Sequence, residues 1–302
     1  MSYNIGVDVG GTFIKCAVVD DKLNIISSGK IPTPEGALLP ETIVMIMRDV
    51  CGKSGLDFCD ISSVGVGTTG VCDASLGVVI SCANIKGYEN IAVCDYIEKH
   101  TKIKAYLDND ANCAALGEYA VLEDTCDNFL FVTLGTGIGG GIILNGRLLR
   151  GVNGAAGEIG HMTFVPGGEK CGCGKCGCWE KYASVSALVR QTKEAGFLGE
   201  VDGRTAFAEA ESGNKKAISV LEKWLGNVAD GICSLVNILQ PETVVIGGGV
   251  SREGEKILSP VREYVEKNAI TRESGLPVTK IRAAKLFNDA GIIGASILYT
   301  QQ

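Results

Sequence analysis

Two stretches of the chain alternate apolar with small or polar residues, at period two, on both sides of a glycine turn. The first is Ile5-Gly6-Val7-Asp8-Val9-Gly10-Gly11-Thr12-Phe13-Ile14-Lys15-Cys16-Ala17-Val18-Val19. The second is Phe129-Leu130-Phe131-Val132-Thr133-Leu134-Gly135-Thr136-Gly137-Ile138-Gly139-Gly140-Gly141-Ile142-Ile143-Leu144, followed by the hairpin signal Asn145-Gly146. Such alternation predicts strand, tight turn, strand. Gly135-x-Gly137-x-x-Gly140 also has the spacing of a dinucleotide fingerprint, but that motif needs a helix to open at the third glycine, and a strand follows here. The repeat, about 125 residues apart, predicts an α/β protein of two related lobes, each offering a glycine loop to a shared cleft.

Elsewhere the period shifts. Ile43, Ile46, Met47 and Val50 mark one face of a helix over 41–53. A strand over 64–67 leads into the turn Thr68-Thr69-Gly70, and the strand opening 78–87 enters a loop that carries Asn84. A short strand over 103–107 ends at Asp108-Asn109-Asp110-Ala111-Asn112, ahead of an Ala-rich helix over 113–123. Helices are expected over 182–194, 214–239, 253–268 and 291–299, with strands over 243–246 and 278–284. Trp224, Val228, Ile232 and Leu235, near helical spacing in the longest of these, are packing positions.

Composition narrows the class. A chain of 302 residues, 46% of them hydrophobic, can fill two lobes. Net charge of −7 and the lack of any basic run argue against nucleic acid or a membrane surface as partner. No apolar run reaches the roughly 18 residues needed to span a bilayer. An odd count of thirteen cysteines, no signal-peptide pattern, and a start that runs straight into a strand predict a reducing, cytoplasmic setting.

Four of those cysteines fall within eight residues, in Cys171-Gly172-Cys173-Gly174-Lys175-Cys176-Gly177-Cys178-Trp179-Glu180, and one of the two histidines, His161, lies ten positions upstream. This is ligand spacing for a tetrahedral Zn²⁺. With His161 as one ligand, four sulfurs compete for three places; the set chosen is His161, Cys171, Cys173 and Cys178, with Cys176 a spectator, against a disulfide pair or bare loop thiols. Four protein ligands leave no open position, so the ion is structural. Glu158, Glu180 and the free edge of the His161 ring then face one ligand, a set suited to a polyhydroxylated molecule. In the first glycine loop the N–H groups of Gly10, Gly11 and Thr12, with Lys15, can hold phosphate oxygens while Asp8 orients hydrated Mg²⁺; the plain alternative is an ordinary hairpin. Gly135, Thr136 and Gly137 repeat that plan. Asn84 either bonds a sugar hydroxyl or stabilises its turn. Taken singly, Asp110 is a helix N-cap; between phosphate loops and a hydroxyl-binding cluster it becomes a general base toward a nucleophilic hydroxyl.

These motifs together resemble the ROK sugar kinases, a group of bacterial glucokinases, fructokinases, N-acetylmannosamine kinases and sugar-responsive repressors. The resemblance runs over nearly the whole chain, through Asp8-x-Gly10-Gly11-Thr12-x-x-Lys15, Asp108-Asn109-Asp110-Ala111-Asn112, Leu134–Gly141, Gly154–His161 and Cys171-x-Cys173-Gly174-x-x-Gly177-Cys178-x-Glu180. It implies a hexokinase-like, actin-like ATPase fold with the active-site cleft between lobes. The smaller lobe would be 1–116 plus about 289–302, and the larger 117–288 with the zinc loop at 161–180. It further implies Asp110 as catalytic base, with Asn84, Asn109, Glu158, His161 and Glu180 on the sugar. His161, Cys171, Cys173 and Cys178 would bind zinc, Thr12 and Thr136 would bind ATP phosphates, and Gly247, Gly248 and Gly249 would lie near the adenosine. The expected reaction is transfer of the γ-phosphate of MgATP to the 6-hydroxyl of a hexose, glucose first and N-acetylmannosamine second, by a homodimer. A repressor of the same family would need a DNA-binding segment ahead of the first loop, where only seven residues precede Asp8; a non-catalytic sugar binder would have little use for two phosphate loops.

Overall fold

The computed structural model describes residues 2–301. The first glycine repeat forms an antiparallel meander of β1 (Tyr3–Val9), β2 (Phe13–Asp20) and β3 (Ile25–Pro32). After helix α1 (Leu39–Ser54), β4 (Ile61–Thr68) pairs parallel with β1. Three short strands, β5 (Val71–Asp73), β6 (Val78–Ser81) and β7 (Ile91–Ala92), make a small separate sheet. Helix α2 (Val93–Thr101) and strand β8 (Ala105–Asn109) follow, completing the first sheet in the order β3-β2-β1-β4-β8.

Period-two alternation explains how β2 is covered on both faces. Ile14, Cys16 and Val18 enter the core that includes Ile43, Met47 and Val50 of α1. Ala17 and Val19 turn the other way, onto Ile292. Helix α1 begins with Pro40 and Glu41 in its first turn and stops at Gly55, whose φ of 70° ends it in the left-handed region. Each Ile or Met it buries contributes about 1.5–3 kcal/mol.

Helix α3 (Asp110–Ala120) starts three residues before the expected 113, for a reason given below. The second repeat gives β9 (Phe129–Leu134), β10 (Ile138–Leu144) and β11 (Arg147–Leu148), joined through Asn145 and Gly146, both at positive φ as the hairpin signal requires. Next come α4 (Glu180–Ala183), α5 (Val185–Glu194), α6 (Thr205–Glu211) and α7 (Lys215–Leu239). The helix expected over 182–194 is thus interrupted, because Ser184 takes an extended conformation and caps α5 through Ala187 N–H. Strand β12 (Thr243–Gly247), helix α8 (Glu255–Asn268), strand β13 (Lys280–Ala283) and helix α9 (Ala290–Ser296) complete the chain. The second sheet runs β11-β10-β9-β12-β13, with β12 parallel to both β9 and β13. Its pairing plan repeats that of the first sheet, strand for strand.

The chain divides into two compact units. Unit 1 comprises 1–125, 141–157 and 288–302; unit 2 comprises 126–140 and 158–287. Within unit 1, α9 lies on β1 and β4 with its backbone almost touching theirs. Gly6 and Gly65 are register partners across the two strands. A Cβ on Gly6 would stand 2.0 Å from the Ile292 carbonyl oxygen, and one on Gly65 1.7 Å from that of Ala295. Gly117 of α3 and Gly294 of α9 meet in the same way. Four missing side chains therefore let a strand pair and two helices close on one another.

Candidate active site

In unit 1 the first turn is built around Asp8 and Lys15, which face each other in the β1–β2 register. Lys15 Nζ lies 3.3 Å from Asp8 Oδ2 and donates to the Asn288 carbonyl at 3.3 Å. Gly10 N–H is used within the turn, donating to Phe13 O, while Thr33 ties down the carbonyls of Gly10 and Thr12. Gly11 and Thr12 are exposed and are the better placed of the turn amides to meet a phosphate. Asp8 sits against Gly291 in the first turn of α9, where a Cβ would be 3.3 Å from its carboxyl carbon. One carboxylate at a strand end beside phosphate-sized donors fits the way Mg²⁺ is held, by few protein oxygens plus substrate phosphates.

At the β8–α3 corner the N-cap is Asn109, not Asp110. Asn109 Oδ1 accepts from Ala111 N–H at 2.8 Å and Asn112 N–H at 3.3 Å, and this starts the helix at Asp110. Asn109 Nδ2 donates to the Gly70 carbonyl at 3.3 Å, and Asn84 Nδ2 to Thr69 Oγ1 at 3.2 Å. The turn after β4 thus holds both asparagines, orienting Asn84 with its amide nitrogen toward Thr69. A residue the sequence reading passed over, Arg150, pairs with the buried Asp108 beside this corner.

In unit 2, Glu158, His161 and Glu180 come together. His161 Nε2 lies 3.9 Å from Glu158 Oε2, and Nδ1 lies 3.9 Å from Glu180 Oε1. His161 ends a short 3₁₀ turn, and Glu180 opens α4. Trp179, fully buried, anchors that junction by donating from Nε1 to the Asn227 carbonyl of α7 at 2.8 Å. The donor atoms of His161, Cys171, Cys173 and Cys178 all lie within 4.8 Å of one another. Cys173 and Cys178 sulfurs are 3.6 Å apart, and Cys171 Sγ is 3.7 Å from His161 Nδ1. A tetrahedral ion with bonds of about 2.3 Å to sulfur and 2.0 Å to nitrogen requires edges of about 3.8 and 3.5 Å, so the cluster fits. Burial pushes the Cys171 thiol up to about 12 and raises that of Cys178, whereas a backbone hydrogen bond from Lys175 holds Cys173 down. A cation among the sulfurs removes the burial penalty on their thiolate forms. Cys176 is exposed, outside the group.

The second glycine turn belongs to the same unit. A Cβ on Gly137 would be 2.7 Å from Glu180 Oε2, so this turn lies directly against the Glu180 carboxylate. Gly135 and Thr136 line a cavity of about 280 Å³ with Val185, Asp202, Gly203, Arg204, Gly249, Val250 and Glu253. Of Gly247, Gly248 and Gly249 at the end of β12, only Gly249 lines it; Gly247 makes room for the Phe131 ring and Gly248 for the Leu134 carbonyl. Asp202, Arg204 and Glu253 were not legible as lining this cavity, because nothing local marks them.

Residues 4–302 match the model of the ROK family. The chain is 37% identical to the glucokinase of Halalkalibacterium halodurans, over 99% of this chain and 95% of that one. It is 31% identical to the N-acetylmannosamine kinase of Citrobacter koseri, over 97% of each. Among solved structures, a ROK family glucokinase from Streptomyces griseus in complex with glucose and AMPPNP superposes with a TM-score of 0.83 at 34% identity, covering all of both chains.

Proposed function

The chain belongs to the ROK family, and from that premise we propose that it is an ATP-dependent hexose kinase whose preferred acceptor is glucose. The observation that carries the reading is the contact of Glu180 with the Gly137 turn: a hydroxyl-binding carboxylate and a phosphate-type loop adjoin inside one unit. Adenosine is assigned to the cavity beside Gly135, Thr136 and Gly249, with Asp202 and Glu253 as acceptors for ribose hydroxyls. Glucose hydroxyls donate to Glu158 and Glu180 and pair with Asn84, Asn109 and the His161 ring edge.

The hexose 6-hydroxyl oxygen attacks the γ-phosphorus, the bond to the β,γ-bridging oxygen breaks, and ADP leaves. Asp110 takes the hydroxyl proton as the new P–O bond forms. The amides of Gly11, Thr12, Thr136 and Gly137, with Lys15, spread charge on the transferring group, the larger part of catalysis in a loose transition state. Mg²⁺ held at Asp8 would supply further charge neutralisation on the phosphates. Zinc is assigned to His161, Cys171, Cys173 and Cys178 as a brace for the loop that carries Glu180. The thirteen free thiols support a cytoplasmic setting, and a homodimer follows the family pattern. Among the described residues no helix is long and apolar enough to cross a membrane.

The test is ADP release, assayed across glucose, mannose, fructose, N-acetylglucosamine and N-acetylmannosamine. Glucose is expected to give the highest kcat/KM; highest turnover with N-acetylmannosamine would select the second reading, and no sugar-dependent release would end both. Glu158→Gln should raise the glucose KM about 10–100-fold, as loss of a charged hydrogen bond requires, with the ATP KM within about twofold. An unchanged glucose KM removes Glu158 from the sugar site. Metal analysis should find about one zinc per chain, and a strong chelator should lower the Tm by more than about 5 °C, reversibly on adding zinc. Complete zinc loss with an unaltered melting curve would refute the brace.

A further inference from the structure

Asp108 is a carboxylate enclosed in unit 1, 2% exposed, at the end of β8. One of its oxygens accepts from the backbone N–H of Asn109 and from Asn112 Nδ2, each at 2.8 Å. The other accepts from Arg150 Nε at 2.6 Å. Arg150 is held in turn: its Nη1 donates to the Gln301 carbonyl at 3.1 Å, and its own carbonyl accepts from Ala156 N–H at 3.0 Å. Asp108 and Arg150 lie 42 residues apart in the chain, so the pair pins the start of the 150–157 loop and the C-terminal residues to the corner that begins α3.

A buried ion pair is a poor device for stability alone, since an apolar set of similar volume serves as well or better. What it does well is fix direction, because a planar guanidinium and a carboxylate meet in few geometries. The residue whose N–H is bound by Asp108 is Asn109, the helix cap, and the next residue is Asp110. We infer that Arg150 is a positioning residue for phosphoryl transfer: acting through Asp108, it holds the β8–α3 corner so that Asn109 and Asp110 meet the acceptor hydroxyl in one geometry. This rests on the kinase reading. Displacement by about an ångström at such a corner lowers turnover by up to about 10²-fold without weakening substrate binding.

Two variants test it. Arg150→Lys keeps the charge beside Asp108 but cannot hold Asp108 and the Gln301 carbonyl with one fork. The double variant Arg150→Met with Asp108→Asn removes both charges together, so no bare carboxylate is left inside. Both are expected to melt within about 4 °C of wild type, and to lose at least about tenfold in kcat, with KM for glucose and ATP within about threefold. A double variant with wild-type kcat, or a loss expressed in KM alone, overturns the assignment. So does a kcat loss that only tracks a large fall in Tm in both variants. The wild type assayed alongside separates the two readings: if it turns over no sugar, the functional reading fails and takes this assignment with it, whereas an active wild type with an equally active double variant overturns the assignment alone.

Discussion

Asp110→Asn is expected to lower kcat by about 10²–10⁴-fold, the range for removing a positioned general base, while glucose Kd stays within about threefold. The expectation is clean because the helix cap is the neighbouring Asn109, and the Ala111 N–H that Asp110 Oδ1 accepts at 2.9 Å can be taken as well by an amide oxygen. The cap is Asn109, whose side chain takes the Ala111 and Asn112 N–H groups. An amide at 110 keeps the shape and the hydrogen-bonding length but is a far weaker base. Single-turnover kinetics with glucose, alongside a melting curve, check it. A variant with near-normal turnover would mean that proton removal is not Asp110's task and that charge dispersal by the glycine loops suffices.

Gly65→Ala is expected to be among the most damaging single-methyl changes in the protein. The added Cβ would need to lie 1.7 Å from the Ala295 carbonyl oxygen, far inside contact distance, and the obstacle is backbone rather than a side chain that can swing away. Strand β4 cannot retreat, because β1 and β8 flank it in the sheet. Overpacking of this kind, with no rotamer to relieve it, costs more than about 4 kcal/mol. For a protein of this size that lowers the Tm by about 6 °C or more, or leaves the chain insoluble. A soluble Gly65→Ala protein melting within about 2 °C of wild type would show that α9 is not seated as described.

Much of this architecture could be read from local pattern. The two alternating runs around Gly10-Gly11 and Gly135–Gly137 became two sheets with one pairing plan, because period-two burial is decided within each strand. The gathering of His161 with Cys171, Cys173 and Cys178 was legible for a similar reason: three of the four lie within eight residues, so loop spacing nearly fixes their geometry. What escaped was nonlocal. Arg150 reaches Asp108 across 42 residues, and the Gly135 cavity is joined by Asp202 and Arg204 from the loop before α6 and by Glu253 from the turn after β12. No periodicity marks such pairings. The cap at the β8–α3 corner was misassigned because Asp108-Asn109-Asp110 offers three good capping side chains in a row, and only the direction of the backbone at 109, extended at φ −66°, ψ 149°, selects among them. The short strands β5 and β7 were passed over because three and two residues are too few to display alternation.

The glycine cradle under α9 also has a consequence in time. Gly6 leaves the ribosome 286 residues ahead of Ile292, whose carbonyl fills the space above it. At about 5–20 residues per second, β1 waits roughly 15–60 s for its cover. During that interval the outer face of the first sheet, Ala17 and Val19 included, is bare to solvent, so a nascent chain stalled before residue 290 is the form of this protein most in need of a chaperone.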